Sequence, residues 1–314
     1  MTDTANDRAA GALLGLACGD ALGRPVEFRT PTSIETEHGR LTDMVGHGTH
    51  NQPAGTVTDD TDMALCIARS LVESGGFDGR DVADRFLSWY ESGPFDIGGM
   101  TARSIRAYRD GTPWDEAGRQ VWEASAEGTN AGNGSVMRCA PHAIAYAEDF
   151  DRLATVSRES SAITHADPRC TWGCVLTNLT IAALVRGDDD PLGTALDRVR
   201  TDAPDELVSA AESVHSAAES VQTASAAELQ NSGYVVTTVQ AGLFHGLRAD
   251  SAEDAIVDAV AMGGDADTLG AVAGAVAGAR FGASALPERW LDAMDCTTEC
   301  RELADALVTL DPAL

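Results

Sequence analysis

Apolar positions recur three and four residues apart over 61–74, 80–90, 171–185, 205–229, 234–247, 252–262, 268–281 and 299–310. That spacing lines up one face of an α-helix, and the two-residue alternation of strands is scarce. The stretch "YVVTTV" at 234–239 has β propensity, but "QAGLFHGL" directly after it continues a helical face, so the segment is expected as helix. Residues 91 to 134 are rich in Gly, Pro and Asp and read as one long connection, of a length that is usually functional in a compact domain. Residues 186–232, with "GDDDPLG" followed by an Ala/Ser/Glu-rich helical pattern, read as peripheral and solvated.

Two segments depart from ordinary amphipathic helices. Gly11, Gly15, Gly19 and Gly23 are spaced by four, as are Gly270, Gly274, Gly278 and Gly282. On a helix this spacing makes a stripe without side chains, along which a second helix can approach closely despite a cost of ~1 kcal/mol for each interior glycine. Two centrally packed helices are expected. Abundant Ala and Gly and an aromatic share of 5% suit a helix-on-helix core. With 314 residues and no Pro/Gly/Ser-rich linker, the expectation is a single all-α domain spanning 1–314.

Charge changes the picture of the surroundings. There are 49 acidic residues against 22 basic ones, a net charge of −27, and every basic residue is an arginine. The excess is spread along the chain, which points to a salt-rich cytoplasm, a monomer or weak associator, and stability that depends on salt. Nucleic acid is not expected as a partner, since no basic stripe is present. The apolar "AAGALLGLACGDALG" near the start is too short to span a bilayer and is preceded by Asp3 and Asp7 against Arg8, so no membrane association is expected and a cytoplasmic enzyme is the simpler reading. The odd set of seven cysteines forms no disulfide framework. The i,i+4 pairs Cys170/Cys174 and Cys296/Cys300 fit small core residues better than zinc ligands.

The candidate chemistry lies in "TDDTDM" (58–63) and "GGDADTLG" (263–270). Either alone fits a helix start, where acids and hydroxyls cap free N–H groups. Together they gather more carboxylates than a low-dielectric cleft tolerates without cations. Asp and Thr oxygens with no histidine in either motif suit Mg²⁺ or Mn²⁺ rather than zinc. The two motifs are therefore expected to meet across the core as one binuclear metal site.

The ordered set "GALLGLACGDALGRPVEF" (11–28), "TDDTDM", "PFDIG" (94–98), "GNGSVMR" (132–138), "ITHADPR" (163–169) and "GGDADTLGAVAGAVAG" (263–278) resembles the ADP-ribosylglycohydrolase family, which includes the dinitrogenase-reductase-activating glycohydrolases. The resemblance implies a compact, orthogonal, all-α domain with two Mg²⁺ or Mn²⁺ ions in a central cleft that binds ADP-ribose. Position by position, it implies Thr58, Asp59 and Asp60 on one side of the metal pair and Asp265, Asp267 and Thr268 on the other. It further implies Glu27 and Asp96 as the acid/base carboxylates, between which the sequence does not choose. Asn133, Gly134, Ser135, Met137 and His165 would contact the ligand. Taken without the resemblance, Asp96 also fits an Asx-type turn, "GNGSVMR" a Gly-rich turn and His165 a structural histidine.

Cleavage at the ribose anomeric carbon passes through an oxocarbenium-like state, which calls for oriented hydroxyls, a positioned water and a proton relay. The expected substrate is an ADP-ribosylated protein or ADP-ribose derivative, with "PFDIG" favouring the arginine linkage over serine or O-acetyl linkages. The alternatives are a non-catalytic ADP-ribose-binding or crystallin-like protein and a metal-dependent nucleotide phosphohydrolase. His47, His50, His142, His215 and His245 show no ligand spacing and are assigned no chemistry, and no tryptophan is singled out.

Overall fold

A computed structural model describes residues 2–126, 128–219 and 229–310. Among the described residues there are sixteen α-helices and no strand. In chain order they are α1 (Asp3–Gly23), α2 (Pro31–His38), α3 (Asp59–Ser74), α4 (Gly79–Glu91), α5 (Gly99–Arg109), α6 (Trp114–Ala124), α7 (Ala140–Ala145), α8 (Phe150–Ala162), α9 (Pro168–Arg186), α10 (Pro191–Val199), α11 (Asp205–Glu219), α12 (Val235–Arg248), α13 (Ala252–Val260), α14 (Ala266–Phe281), α15 (Glu288–Ala293) and α16 (Thr297–Val308). The part of the predicted 205–229 helix over 220–228 lies outside the described residues.

The centre is the antiparallel pair α1 and α14, packed glycine against glycine. A Cβ added at Gly11 would stand 2.2 Å from the Gly278 carbonyl oxygen, one at Gly15 2.1 Å from that of Gly274, and one at Gly19 1.9 Å from that of Gly270. The two backbones therefore touch where other helix pairs are held apart by side chains, as the four-residue stripe predicted. Both helices are sheathed on their other sides. Every residue of α1 from Ala9 to Gly23 is buried, and so is every residue of α14 from Ala266 to Ala279. A helix buried all round needs no polar face, which is why these segments show no amphipathic stripe. The jacket includes α9, α12, α13 and α16. All seven cysteines are free thiols, six of them buried.

Two expectations need correction. The 91–134 segment is not one long connection, because α5 and α6 lie within it. Met100, Ala102 and Ile105 on α5 and Ala117 and Val121 on α6 form short buried faces, and the Gly and Pro that suggested a loop sit at Gly98 and Pro113, the residues that open these helices. The described part of 186–232 is peripheral but not simply solvated. α10 and α11 bury Leu192, Leu196, Val199, Leu207 and Val214, against α9 and α12 respectively.

The antiparallel sense of α1 and α14 decides where chemistry can occur. It brings the C-terminal end of α1 beside the N-terminal end of α14, and α3 starts against the same place.

Candidate active site

Two of these helix ends, α1 and α3, are tied together by Asp20, which is fully buried on α1. The Thr58 N–H donates to its two oxygens at 3.0 Å each, the Thr58 hydroxyl at 2.9 Å, the Thr61 N–H at 3.1 Å and the Thr61 hydroxyl at 2.5 Å. Asp20 thus caps the N-terminus of α3 from another helix, satisfying N–H groups that no residue within α3 can reach. Burial raises its pKa to about 6 against the pull of these donors. The cap fixes Asp59 and Asp60 on the first turn of α3, facing Asp265, Asp267 and Thr268 at the start of α14.

These groups line a cavity of about 490 Å³. Of the residues expected at the site, all but Thr58 and Ser135 line it. The Thr58 hydroxyl instead bonds Asp20 and Asp60. Ser135 is turned inward, where its hydroxyl accepts from Ser161 at 2.9 Å. Asn133 anchors the "GNGSVMR" segment, its amide donating to Asp265 at 2.9 Å and to Thr238 at 3.0 Å. Arg138, fully buried, donates to the Gly134 carbonyl and to the Thr164 hydroxyl at 2.6 Å each, which holds the 132–138 segment against the one bearing His165. Burial lowers the Arg138 pKa to about 10, so it remains a cation at neutral pH. His165 is pushed down to about 3 by burial, with Arg138 adding to the effect, and is a neutral wall of the cavity.

The electrostatics are costly. Burial, then Asp96, raises Asp59 to about 8; burial, then Asp96, raises Glu27 to about 9. Asp60 is driven well above the carboxylate range by burial and then by Asp20, and Asp267 by burial and then by Asp60. Asp96 is raised by burial, with His50 opposing. One oxygen of Asp60 is buried with no hydrogen-bond partner. Converging carboxylates with an orphaned oxygen among them could be completed by cations, and the oxygen donors of Asp59, Asp60, Asp265, Asp267 and Thr268 suit a hard divalent ion. The residues present fit such a group.

The sequence reading missed one residue here. His50, assigned no chemistry, reaches into the site, where its Nε2 bonds the Glu27 carboxylate and lies 4.0 Å from an Asp96 oxygen. Donor atoms of Glu27, His50, Asp96 and Asp267 all fall within 4.8 Å of one another, an arrangement that could itself hold an ion. His50 is placed by Arg24, whose buried guanidinium donates to the carbonyls of Thr56 and His47 at 3.0 Å and Pro53 at 2.9 Å. Neither residue carries a local signal. A loop histidine acquires its neighbours only when a distant arginine gathers the loop's carbonyls.

Comparison with known proteins agrees with this architecture. The family described as ADP-ribosylglycohydrolase matches residues 1–313. The chain is similar to ADP-ribosyl-[dinitrogen reductase] glycohydrolase of Rhodospirillum rubrum, at 34% identity over 97% of each chain. It is also similar to ADP-ribosylarginine hydrolase Tri1 of Pseudomonas putida (strain GB-1), at 33% identity over 99% of this chain and 80% of that one. ADP-ribosylhydrolase ARH3 of Bos taurus is 26% identical over 95% of this chain and 91% of its own length. A solved structure titled ADP-ribosylglycohydrolase-related protein complex superposes with a TM-score of 0.81 at 32% identity, covering 98% of this chain and 99% of that one. A glycine-packed helical core, an acid-lined cleft at the meeting of three helix ends, and a match along nearly the whole length lead to one assignment: this chain belongs to the ADP-ribosylglycohydrolase family.

Proposed function

We propose that the protein is a hydrolase that releases ADP-ribose from ADP-ribosylated substrates, arginine-linked ones foremost, with two Mg²⁺ or Mn²⁺ ions. The observation that carries this reading is the acid-lined cavity with the orphaned Asp60 oxygen, in a chain that matches the family over residues 1–313. The name of the Pseudomonas putida relative, an ADP-ribosylarginine hydrolase, supports the arginine linkage. Residues 1–314 act as a single domain.

Asp59, Asp60, Asp265, Asp267 and Thr268 would hold the ions, with Thr58 at the edge of the set. When bound, divalent ions supply compensation for the carboxylate charge and Lewis acidity toward ribose hydroxyls and water. The chain's own residues do the rest. Asn133, Gly134, Met137 and His165 form the wall along which ADP-ribose lies, and Ser135 braces that wall from behind. Asp96 and Glu27 face the reacting carbon, where a water oxygen bonds to the anomeric carbon as its bond to the guanidine nitrogen breaks. One carboxylate takes the water's proton and a proton is returned to the leaving nitrogen.

The direct experiment is release of free ADP-ribose from an ADP-ribosyl-arginine substrate in molar salt, with Mg²⁺, with Mn²⁺ and with chelator. Metal-dependent release is expected. Phosphate or AMP as product would instead identify a phosphohydrolase, and a melting temperature raised by ADP-ribose without turnover would identify a binding protein.

The composition supports a monomer in a salt-rich cytoplasm. With 49 acids against 22 arginines, self-repulsion is relieved as the Debye length shrinks. Between low salt and molar KCl the melting temperature should rise by roughly 5–10 °C, at about 2–4 °C for each kcal/mol relieved. A flat response would count against the saline environment. No helix among the described residues is long and apolar enough to cross a membrane.

A further inference from the structure

Two exposed side chains adjoin the cleft carboxylates in the chain and are not used by the chemistry above. Among the described residues, the large apolar side chains left exposed are Phe28, at 71%, and Phe95, at 43%. Scattered exposed apolar residues are ordinary, but these are not scattered. Phe28 directly follows Glu27, and Phe95 directly precedes Asp96.

The backbone of Phe28 is fixed, and the ring of Phe95 has a packed neighbour. Phe28 sits at a φ of 63°, a left-handed conformation that bulky residues rarely adopt. Its N–H donates to the Gly264 carbonyl at 2.6 Å, and the Gly264 N–H donates to the Arg29 carbonyl at 2.8 Å, so the strained residue is clamped from both sides. The ring lines the same cavity as the carboxylates rather than entering the core. Strain of this kind persists only where the surrounding structure holds it, and it clusters at ligand and active sites. The Phe95 ring lies 5.5 Å from the His50 imidazole at an interplanar angle of 55°. His50 in turn bonds Glu27 and stands 4.0 Å from Asp96. Phe95, His50, Glu27 and Asp96 therefore form a connected rim, and Phe28, next to Glu27 in the chain, lines the cavity they border.

We propose, resting on the glycohydrolase reading above, that Phe28 and Phe95 are specificity residues for a planar cationic leaving group, an arginine guanidinium. A guanidinium is delocalised, weakly hydrated and flat; it stacks on aromatic faces while its edge donates to carboxylates. The rim offers both partners, the faces from Phe28 and Phe95 and the acceptors from Glu27 and Asp96. A serine hydroxyl or an acetyl group brings neither charge nor a donor fork, and gains little from such a rim.

The test is the ratio of kcat/KM for ADP-ribosyl-arginine to that for ADP-ribosyl-serine peptides, measured in molar salt with Mg²⁺. Wild type is compared with Phe28→Ala, Phe95→Ala and the conservative Phe28→Tyr, with melting temperatures to verify that each is folded. Each alanine variant should lower the arginine-to-serine ratio by roughly five- to tenfold, mostly through KM, and Phe28→Tyr should keep it. Ratios within about twofold of wild type in both alanine variants would overturn the rim's role while leaving the glycohydrolase reading intact. A wild-type enzyme that acts on the serine linkage alone, or on neither substrate, would overturn the arginine reading itself, and the rim with it. The wild-type and variant arms thus separate the two failures.

Discussion

Asp60→Asn is expected to abolish the thermal stabilisation produced by Mg²⁺ or Mn²⁺ and to lower ADP-ribose release by ~10³-fold or more, the several kcal/mol that Lewis-acid assistance contributes. In chelator the same variant should be more stable than wild type. The opposed signs follow from one observation. Asp60 is 1% exposed, has an oxygen without a partner, and is raised well above the carboxylate range by burial and by Asp20, Asp59 and Asp265. Neutralising it relieves the metal-free protein and deprives the metal-loaded one.

The pH dependence has a definite sign. Asp59 is raised from 3.8 to about 8, and Glu27 from 4.5 to about 9. For groups raised on folding, the stability they contribute is fully present below the unfolded value and is lost as pH rises through the folded one. The melting temperature of the chelated wild type should therefore fall between about pH 5 and about pH 9, while the gain on adding divalent ion grows over the same window as binding displaces protons. Differential scanning fluorimetry with and without chelator reads both trends. A metal response in Asp60→Asn equal to that of wild type would falsify the cation reading of the cleft.

Gly19→Ala should be among the most damaging single-methyl substitutions in the chain. The added Cβ would stand 1.9 Å from the Gly270 carbonyl oxygen and 2.2 Å from its carbon. Neither helix can yield, because both are packed on every other side. Overpacking of a core costs about 1–3 kcal/mol when side chains can adjust; here the obstacle is backbone, and a loss above about 3 kcal/mol is expected. At about 2–4 °C per kcal/mol this lowers the melting temperature by roughly 10 °C or leaves no soluble protein. Gly99→Ala is the control. It is the first residue within α5, has nothing within 4 Å of the added atom, and lacks a left-handed φ. Alanine there should be neutral or stabilising by about 0.4–1 kcal/mol. Equal melting temperatures for the two variants would remove the claim that the α1–α14 contact is backbone against backbone.

Part of the site was legible because its residues sit in motifs whose local pattern carries the information. "TDD" and "DADT" open helices recognisable by periodicity, and the glycine spacing that adjoins the second motif also specifies its partner helix. "PFDIG" and "GNGSVMR" were found through resemblance, and Asp96, Asn133, Gly134 and Met137 do line the cavity. The interior side of Ser135 was not legible, since nothing in "GNGSVMR" tells which hydroxyl faces Ser161. Nor were α5 and α6, whose apolar faces are too short to stand out among Gly, Pro and Asp.

The sequence by itself determined that the chain is helical, that two glycine-striped helices meet, that acids concentrate at two helix starts, and that the surface is anionic. Each of these is a property of spacing or composition, which a helix of fixed pitch converts directly into a face. Tertiary structure alone decided which ends converge. The packing of α3 against α1 makes Asp20 the cap of α3, and Arg24 gathers the carbonyls of the loop that delivers His50 to Glu27 and Asp96. Such placements rest on hydrogen bonds between groups distant in the chain, and no periodicity of the backbone encodes the partner at the other end.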